Sequence, residues 1–206
     1  MPTGGWEADY RLRGRLYRGE VRLPPIPHGS RVIDLGCGDG RSLHALAGRT
    51  CSAVGVDSAR SALVLCREQH RGTPPDLVLA DAGRLPFRDR SFDLVLMLHV
   101  IGHGYRSERC MILTEAERVI APGGCVHLRV FSREDLRATR GDLVEEGSRL
   151  RKNGQLTHYF TEDEVASLFP GMKTVCLKTV RWSLRVRGEP LMRAEIEAAF
   201  QYPAHP

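Results

Sequence analysis

The sequence predicts an α/β fold, a three-layer sandwich with a mainly parallel sheet between helices, and three observations predict it. Apolar runs alternate with helix-compatible segments: candidate strands span 31–36, 51–57, 76–80, 92–98 and 124–131, and candidate helices span 41–48, 58–71 and 107–119. Strands that alternate with helices pair in parallel and are covered on both faces. Val32 to Gly40 reads V-I-D-L-G-C-G-D-G, a buried strand that turns sharply into a helix. The chain has 206 residues, 42% of them hydrophobic, enough for one well-buried domain over 1–206.

The elements follow in order. In the leading segment, 1–27, Trp6 to Arg18 reads as a short amphipathic helix whose large residues are Trp6, Tyr10 and Tyr17. It serves either as packing on the core or as a lid over a ligand. Pro24-Pro25-Ile26-Pro27 then breaks the chain before the first strand of a core spanning 28–131. At Gly36 to Gly40 the glycines let the backbone turn tightly and let a ligand touch main chain. The helix that follows starts with unpaired N–H groups, a seat for a carboxylate or phosphate. Asp57 ends the next apolar run, Ser52 to Val56. An acid roughly 20 residues past such glycines is where a nucleoside-binding α/β fold grips ribose hydroxyls. Asp57 is also placed to cap the helix starting near Ser58.

Residues 132–160 depart from the regular unit, being highly charged and carrying Gly141, Gly147 and Gly154. The segment reads as a long loop, and a loop of that length inside a compact domain is usually functional. Thr161-Glu162-Asp163-Glu164 is a capping box opening a helix to Phe169, which Pro170-Gly171 ends. Met172 to Trp182 reads as a sixth strand. Arg193 to Phe200 is ambiguous: the alternation of Ala194, Ile196, Ala198 and Phe200 suits a strand, while the alanine and glutamate content suits a helix.

The glycine spacing narrows the ligand. A dinucleotide fold uses G-x-G-x-x-G, whereas this turn is G-x-G-x-G with Asp39 inside it. An acid there faces a pyrophosphate unfavourably, so a nucleoside without phosphates is expected and a nicotinamide-dependent oxidoreductase is disfavoured. Asp34-Leu35-Gly36-Cys37-Gly38-Asp39-Gly40 resembles in full the first motif, (D/E)-x-G-x-G-x-G, of the class I S-adenosylmethionine (SAM)-dependent methyltransferases. Val56-Asp57-Ser58, Leu79-Ala80-Asp81-Ala82, Ser91 to His99 and Arg118 to Gly124 are similar to later segments of that family, in its order.

The resemblance implies a seven-stranded, mainly parallel sheet whose last strand, Arg193 to Phe200, is antiparallel. It implies SAM as cofactor and S-adenosylhomocysteine as product. It places Asp34, Gly36, Cys37, Gly38, Asp39 and Gly40 at the methionine moiety, and Asp57 with Ser58 at the ribose. Asp81 and the Ala82 N–H fall at the adenine, and Leu98 and His99 along the cleft. Cys37 is read as a space-filler rather than a nucleophile. The 132–160 insertion shapes the substrate pocket.

SAM carries an activated methyl group, so positioning alone supplies much of the rate and no catalytic triad is required. The general-base candidates are His99, His103 and Tyr105 after the fourth strand, with His158 and Tyr159 at the close of the insertion. A small-molecule methyl acceptor is favoured, and the net charge of +5 permits an anionic one. The basic groups Arg149, Arg151 and Lys152, and Arg181, Arg185 and Arg187, permit an RNA acceptor, but no aromatic-rich RNA-binding signature accompanies them. A non-catalytic SAM-binding protein is the alternative from another class. The phrase Met97-Leu98-His99-Val100 replaces the N-P-P-Y signature of common adenine and glutamine amino-group methylation. The six cysteines show no C-x-x-C pair, so no metal site is expected. No apolar run is long enough to span a bilayer and no signal peptide opens the chain, which gives the expectation of a cytoplasmic protein.

Overall fold

The structure, a computed structural model, describes residues 3–14, 21–49, 51–69, 75–186 and 188–204. Its main sheet is built from β1 (Arg31–Leu35), β2 (Ser52–Asp57), β3 (Asp76–Leu79), β4 (Phe92–Leu98), β5 (Ile120–Phe131), β9 (Lys173–Val186) and β10 (Glu189–Gln201). The strand order is β3-β2-β1-β4-β5-β10-β9. β1 to β5 pair in parallel, while β10 runs antiparallel to both β5 and β9. This is the seven-stranded sheet that the resemblance implied, with the last strand reversed between its neighbours.

The helices among the described residues are α1 (Thr3–Arg13), α2 (Arg41–Leu46), α3 (Arg60–Gln69), α4 (Arg106–Val119) and α5 (Glu162–Ala166), with a 3₁₀ turn at Ile101–His103. Buried apolar residues on both faces of the central strands, such as Ile33, Val95 and Met97 on one side and Val32, Leu94 and Leu96 on the other, explain their unbroken apolar reading. The ambiguous segment 193–200 is strand because Ala194, Ile196, Ala198 and Phe200 are buried in strict alternation. Tertiary burial at period two outweighs the weak helix preference of alanine and glutamate.

Several boundaries differ from expectation. β5 starts at Ile120 rather than 124, because Ile120 already pairs with Phe92; the register then shifts before Cys125 pairs with Leu94. Gly123, at φ +76°, sits in that irregularity. The 132–160 segment is a correction: it is not one loop but carries a second antiparallel sheet of β6 (Asp142–Glu145), β7 (Ser148–Leu150) and β8 (Leu156–His158). Gly147 and Gly154, both at positive φ, make its two turns. The helix expected to reach Phe169 is regular only through Ala166. Thr161 Oγ1 accepts from the Glu164 N–H at 3.1 Å as half of the capping box, but the Glu164 carboxylate turns instead to His158. Tyr17, Arg18 and Arg187, and positions 70 and 71 of the expected third helix, lie outside the described residues.

Candidate active site

The carboxyl ends of β1, β2 and β4 and the turn after β3 converge on a cleft. Its floor is the glycine turn. Gly36, Gly38 and Gly40 all have positive φ, at +68°, +56° and +84°. A Cβ on Gly36 would lie 2.6 Å from Val100 Cγ2, and one on Gly38 would collide with the Tyr10 hydroxyl. The turn therefore needs glycine for its backbone and for the closeness of the residues above it.

Asp57 ties two elements to this floor. Its Oδ2 accepts from the Gly38 N–H and its Oδ1 from the Ala59 N–H, both at 2.8 Å. The second bond closes a turn just ahead of α3, which starts at Arg60, so Asp57 is not the N-cap expected of it. Burial raises its pKa, opposed by the hydrogen bonds from Ala59 and Gly38. Asp34 lies deeper and accepts from the Ser42 hydroxyl. Burial pushes Asp34 up to about 7, against the Ser42 bond and with the help of the nearby Asp57 charge. The Cys37 thiol is also buried and driven well above its ordinary pKa, which suits a packing side chain and not a thiolate.

α1 covers this end of the cleft. Trp6 and Tyr10, one turn apart, both line it, as do Ser58, Ala80 and Ala82. The helix is held by Glu7, which accepts from the Ser61 hydroxyl at 2.5 Å and the Ser61 N–H at 3.1 Å. Asp9 accepts from the Gln155 amide, which joins α1 to the 132–160 segment. Asp81 accepts from the Gly83 N–H at 2.8 Å and stands beside the wall, while its neighbours Ala80 and Ala82 line the cleft.

At the end of β4 stand Leu98, His99 and His103. His99 adopts φ +64°, sparsely populated for a residue with a Cβ. Its N–H donates to the Arg129 carbonyl at 2.8 Å, and its ring stacks on Phe131 with centroids 4.4 Å apart. His99 Nε2 lies 3.4 Å from Glu195 Oε1, and Nδ1 is buried without a partner. Burial lowers the His99 pKa despite that carboxylate. His103 Nδ1 lies 2.9 Å from the Leu156 carbonyl, so Nδ1 carries the proton and Nε2 the lone pair. Burial lowers His103 to about 4, so the ring is neutral near pH 7.

The other expected base candidates stand elsewhere. Tyr105 is the exposed N-cap of α4, where its N–H donates to Glu108 at 2.8 Å. His158 is buried with both ring nitrogens engaged, Nδ1 with Ser148 Oγ and Nε2 with Glu164 Oε1, each at 2.7 Å. Tyr159 is buried and its hydroxyl accepts from Arg151 at 3.0 Å. None of the three lines the cleft. Conversely, Arg41, Ser42, Val56 and Val100 line it and were not singled out from the sequence. Arg41 and Ser42 directly follow the glycine turn, and that adjacency was the available signal.

The residues present fit a phosphate-free nucleoside. The Asp57 oxygens each spend one lone pair on a backbone N–H and retain another for a ribose hydroxyl. Asp39, buried in the turn beside the cleft, opposes a pyrophosphate. The cleft lies at the carboxyl ends of parallel strands, where α/β folds seat their ligands.

Comparison with known proteins agrees. Residues 32–124 match the family model described as a methyltransferase domain. A SAM-dependent methyltransferase structure from Methanosarcina mazei superposes with a TM-score of 0.67 at 23% identity, over 89% of this chain and 99% of that one. The chain is 37% identical over 98 residues to a fatty-acid O-methyltransferase of Mycolicibacterium smegmatis, covering 47% of this chain and 35% of the relative. It is 29% identical over 113 residues to a tRNA (carboxymethyluridine(34)-5-O)-methyltransferase of Arabidopsis thaliana, covering 54% and 26% respectively. The chain spans well under half the length of these curated relatives. Residues 32–124 are thus similar to the methyltransferase domain family, and the fold is that of the solved methyltransferase structure.

Proposed function

We propose that the protein transfers a methyl group from SAM to a small-molecule acceptor. The observation that carries this reading is the Gly38–Asp57 hydrogen bond, which places a ribose-competent carboxylate against a glycine turn that contains Asp39. SAM in the cleft supplies an electrophilic methyl on a positively charged sulfur. The chain's residues bind, orient and exclude water. The glycine turn and Asp34 would hold the methionine moiety, Asp57 with Ser58 the ribose, and Asp81 with the Ala82 N–H the adenine. Trp6 and Tyr10 act as a lid, and with Leu98 and Val100 they present apolar surface that keeps water out.

His103 is the residue best placed to accept a hydrogen bond from an acceptor, through Nε2. Its low pKa makes it a weak base, so its role is orientation more than proton removal. His158 and Tyr159 support the 132–160 segment, and Tyr105 starts α4. A compact acceptor suits a cleft covered by α1 and flanked by a folded insertion. An RNA acceptor is the second reading, supported by the tRNA-modifying relative; a steep loss of tRNA affinity with rising salt would mark it. Among the described residues no helix is long and apolar enough to cross a membrane. All six cysteines are free thiols, which suits a reducing compartment, and we place the protein in the cytoplasm.

Calorimetric titration tests the reading. SAM and S-adenosylhomocysteine are expected to bind and NADH to fail. Binding of NADH alone would overturn it.

A further inference from the structure

The subsites proposed for the ribose and for the methionine moiety meet at one hydrogen bond. Gly38 donates its N–H to Asp57 Oδ2 at 2.8 Å, so the glycine turn and the ribose carboxylate touch there. SAM joins its methionine and its ribose through sulfur, so its positive charge falls where these two subsites meet.

The side chain standing over that contact is Tyr10. A Cβ on Gly38 would collide with the Tyr10 hydroxyl and lie 3.4 Å from the ring carbon that bears it. Tyr10 lines the cleft yet is 6% exposed, because it also packs on Ala59 and Ala62 at the N-terminal end of α3. Trp6 lies one turn earlier in α1, its ring centroid 6.4 Å from that of Tyr10 and the planes tilted by 39°. It lines the cleft too, and meets the His103 ring at 4.7 Å beyond the end of β4. The two rings therefore run from the glycine turn towards the side of the cleft that carries His103. Glu7, on the same helix, bonds Ser61 of α3, so the rings are in place before a ligand arrives.

The charges around the cleft suit a cation at that position. Asp34, Asp39 and Asp57 line it, against Arg41 as the one arginine or lysine among the described lining residues. Burial keeps the lining histidines, His99 and His103, uncharged near pH 7. Behind the lining, the charge of Glu7 acts on Asp57, and Arg129 is answered by Glu195 and Glu197. Even with Asp34 half-protonated near pH 7, negative charge on the lining exceeds positive. Asp57 is committed to Gly38 and Ala59, and Asp34 to Ser42, so the surface left to face the sulfur is aromatic. A ring face attracts a cation through its quadrupole, most strongly for Trp and where water is excluded.

We infer that Tyr10 and Trp6 hold the sulfonium of SAM by cation–π attraction, so that α1 distinguishes the charged cofactor from its neutral product. This rests on the proposed methyltransferase reading. Methyl transfer returns the C–S electron pair to sulfur and leaves it uncharged. S-adenosylhomocysteine then keeps the nucleoside and methionine contacts and loses this one. The two aromatic residues thus read the charge of the ligand besides covering it.

Calorimetric titration with three ligands tests this. SAM carries a methylated, positively charged sulfur, sinefungin carries a CH–NH₃⁺ group in its place, and S-adenosylhomocysteine carries a neutral sulfur. Tyr10→Leu and Trp6→Leu should each weaken SAM and sinefungin about threefold to thirtyfold more than S-adenosylhomocysteine. Tyr10→Phe and Trp6→Phe keep a ring and should retain most of the wild-type discrimination. Thermal melting without ligand establishes that each variant is folded. Trp6 is only partly buried, so its variants test the pair even where Tyr10→Leu does not fold. Equal weakening of all three ligands marks packing alone, and a loss confined to SAM marks the shape of the methyl and not its charge. Either result, or unchanged binding of all three, would overturn the inference. If the wild type binds neither SAM nor S-adenosylhomocysteine, the methyltransferase reading beneath it falls instead.

Discussion

Asp57 accepts a hydrogen bond from the Gly38 N–H at 2.8 Å, so the carboxylate assigned to the ribose also fixes the shape of the turn assigned to the methionine. Its other oxygen accepts from the Ala59 N–H in the turn that leads into α3. Asp57→Ala should therefore weaken SAM binding and loosen the fold together. Hydrogen bonds to a charged group contribute about 1.5–3 kcal/mol each, so the loss of two ribose contacts predicts a fall in affinity of roughly 10²–10⁴-fold. Loss of the bond to Ala59 should reduce stability by about 1 kcal/mol. Calorimetry and urea unfolding measure the two effects separately.

Gly38→Ala should destabilise the protein for two separable reasons. The backbone strain at φ +56° is about 1–2 kcal/mol for a residue with a Cβ. The new methyl also meets the Tyr10 hydroxyl, whereas the ring carbon behind that hydroxyl stands 3.4 Å away. Tyr10→Phe removes the collision and leaves the strain. In a double-mutant cycle, Gly38→Ala should cost less in the Tyr10→Phe background, with a coupling of about 1 kcal/mol. Strictly additive effects would show that α1 does not rest on the turn.

Asp34 should make SAM binding pH-dependent. With its folded pKa raised to about 7, this group binds more protons in the native state than unfolded between about pH 4 and 7. Its contribution therefore favours the folded apo-protein as pH falls through 7, and disfavours it as pH rises. A cation entering the cleft favours the carboxylate and lowers that pKa. SAM binding at pH 6 to 7 should release a fraction of a proton, and binding at pH 9 none. Calorimetry in buffers of different ionisation enthalpy reads this directly, and Asp34→Asn should abolish it.

His158→Ala should destabilise the protein by about 2–4 kcal/mol, since it leaves buried Ser148 and Glu164 without their partner. SAM affinity should change less than threefold, because His158 does not line the cleft. Glu164 adds an acid dependence. Burial opposes its charge, but the His158 hydrogen bond and nearby positive charges hold its pKa below the ordinary value. Its contribution is present above the unfolded carboxylate range and is lost as pH falls through the folded pKa. The difference in stability between wild type and variant should therefore shrink below about pH 4.

The alternating core was legible because β1 and β4 are short, largely buried and bounded by turn chemistry, and because the parallel sheet leaves few other arrangements. Much of the cleft lining was legible for the same reason: Gly36, Gly38, Asp57 and Ala82 all sit at or just past the end of a strand. The 132–160 segment was not, because its strands are three or four residues long and their polar faces carry no clear period. His158 misled for a physical reason as well. An aromatic, titratable pair looks the same in sequence whether it meets a ligand or, as here, locks a serine to a glutamate. Trp6 and Tyr10 could be placed on one helix face, but what that face covers depends on Glu7 meeting Ser61 and Asp9 meeting Gln155, pairings 54 and 146 residues apart.

Those two pairings have a kinetic consequence. One short helix is tied to α3 through Ser61 and to the 132–160 segment through Gln155, so both sides of the cleft share a single latch. Turnover should then follow a compulsory sequence, with the cofactor seated before the acceptor and the demethylated nucleoside leaving last. S-adenosylhomocysteine should accordingly inhibit competitively against SAM and noncompetitively against the acceptor.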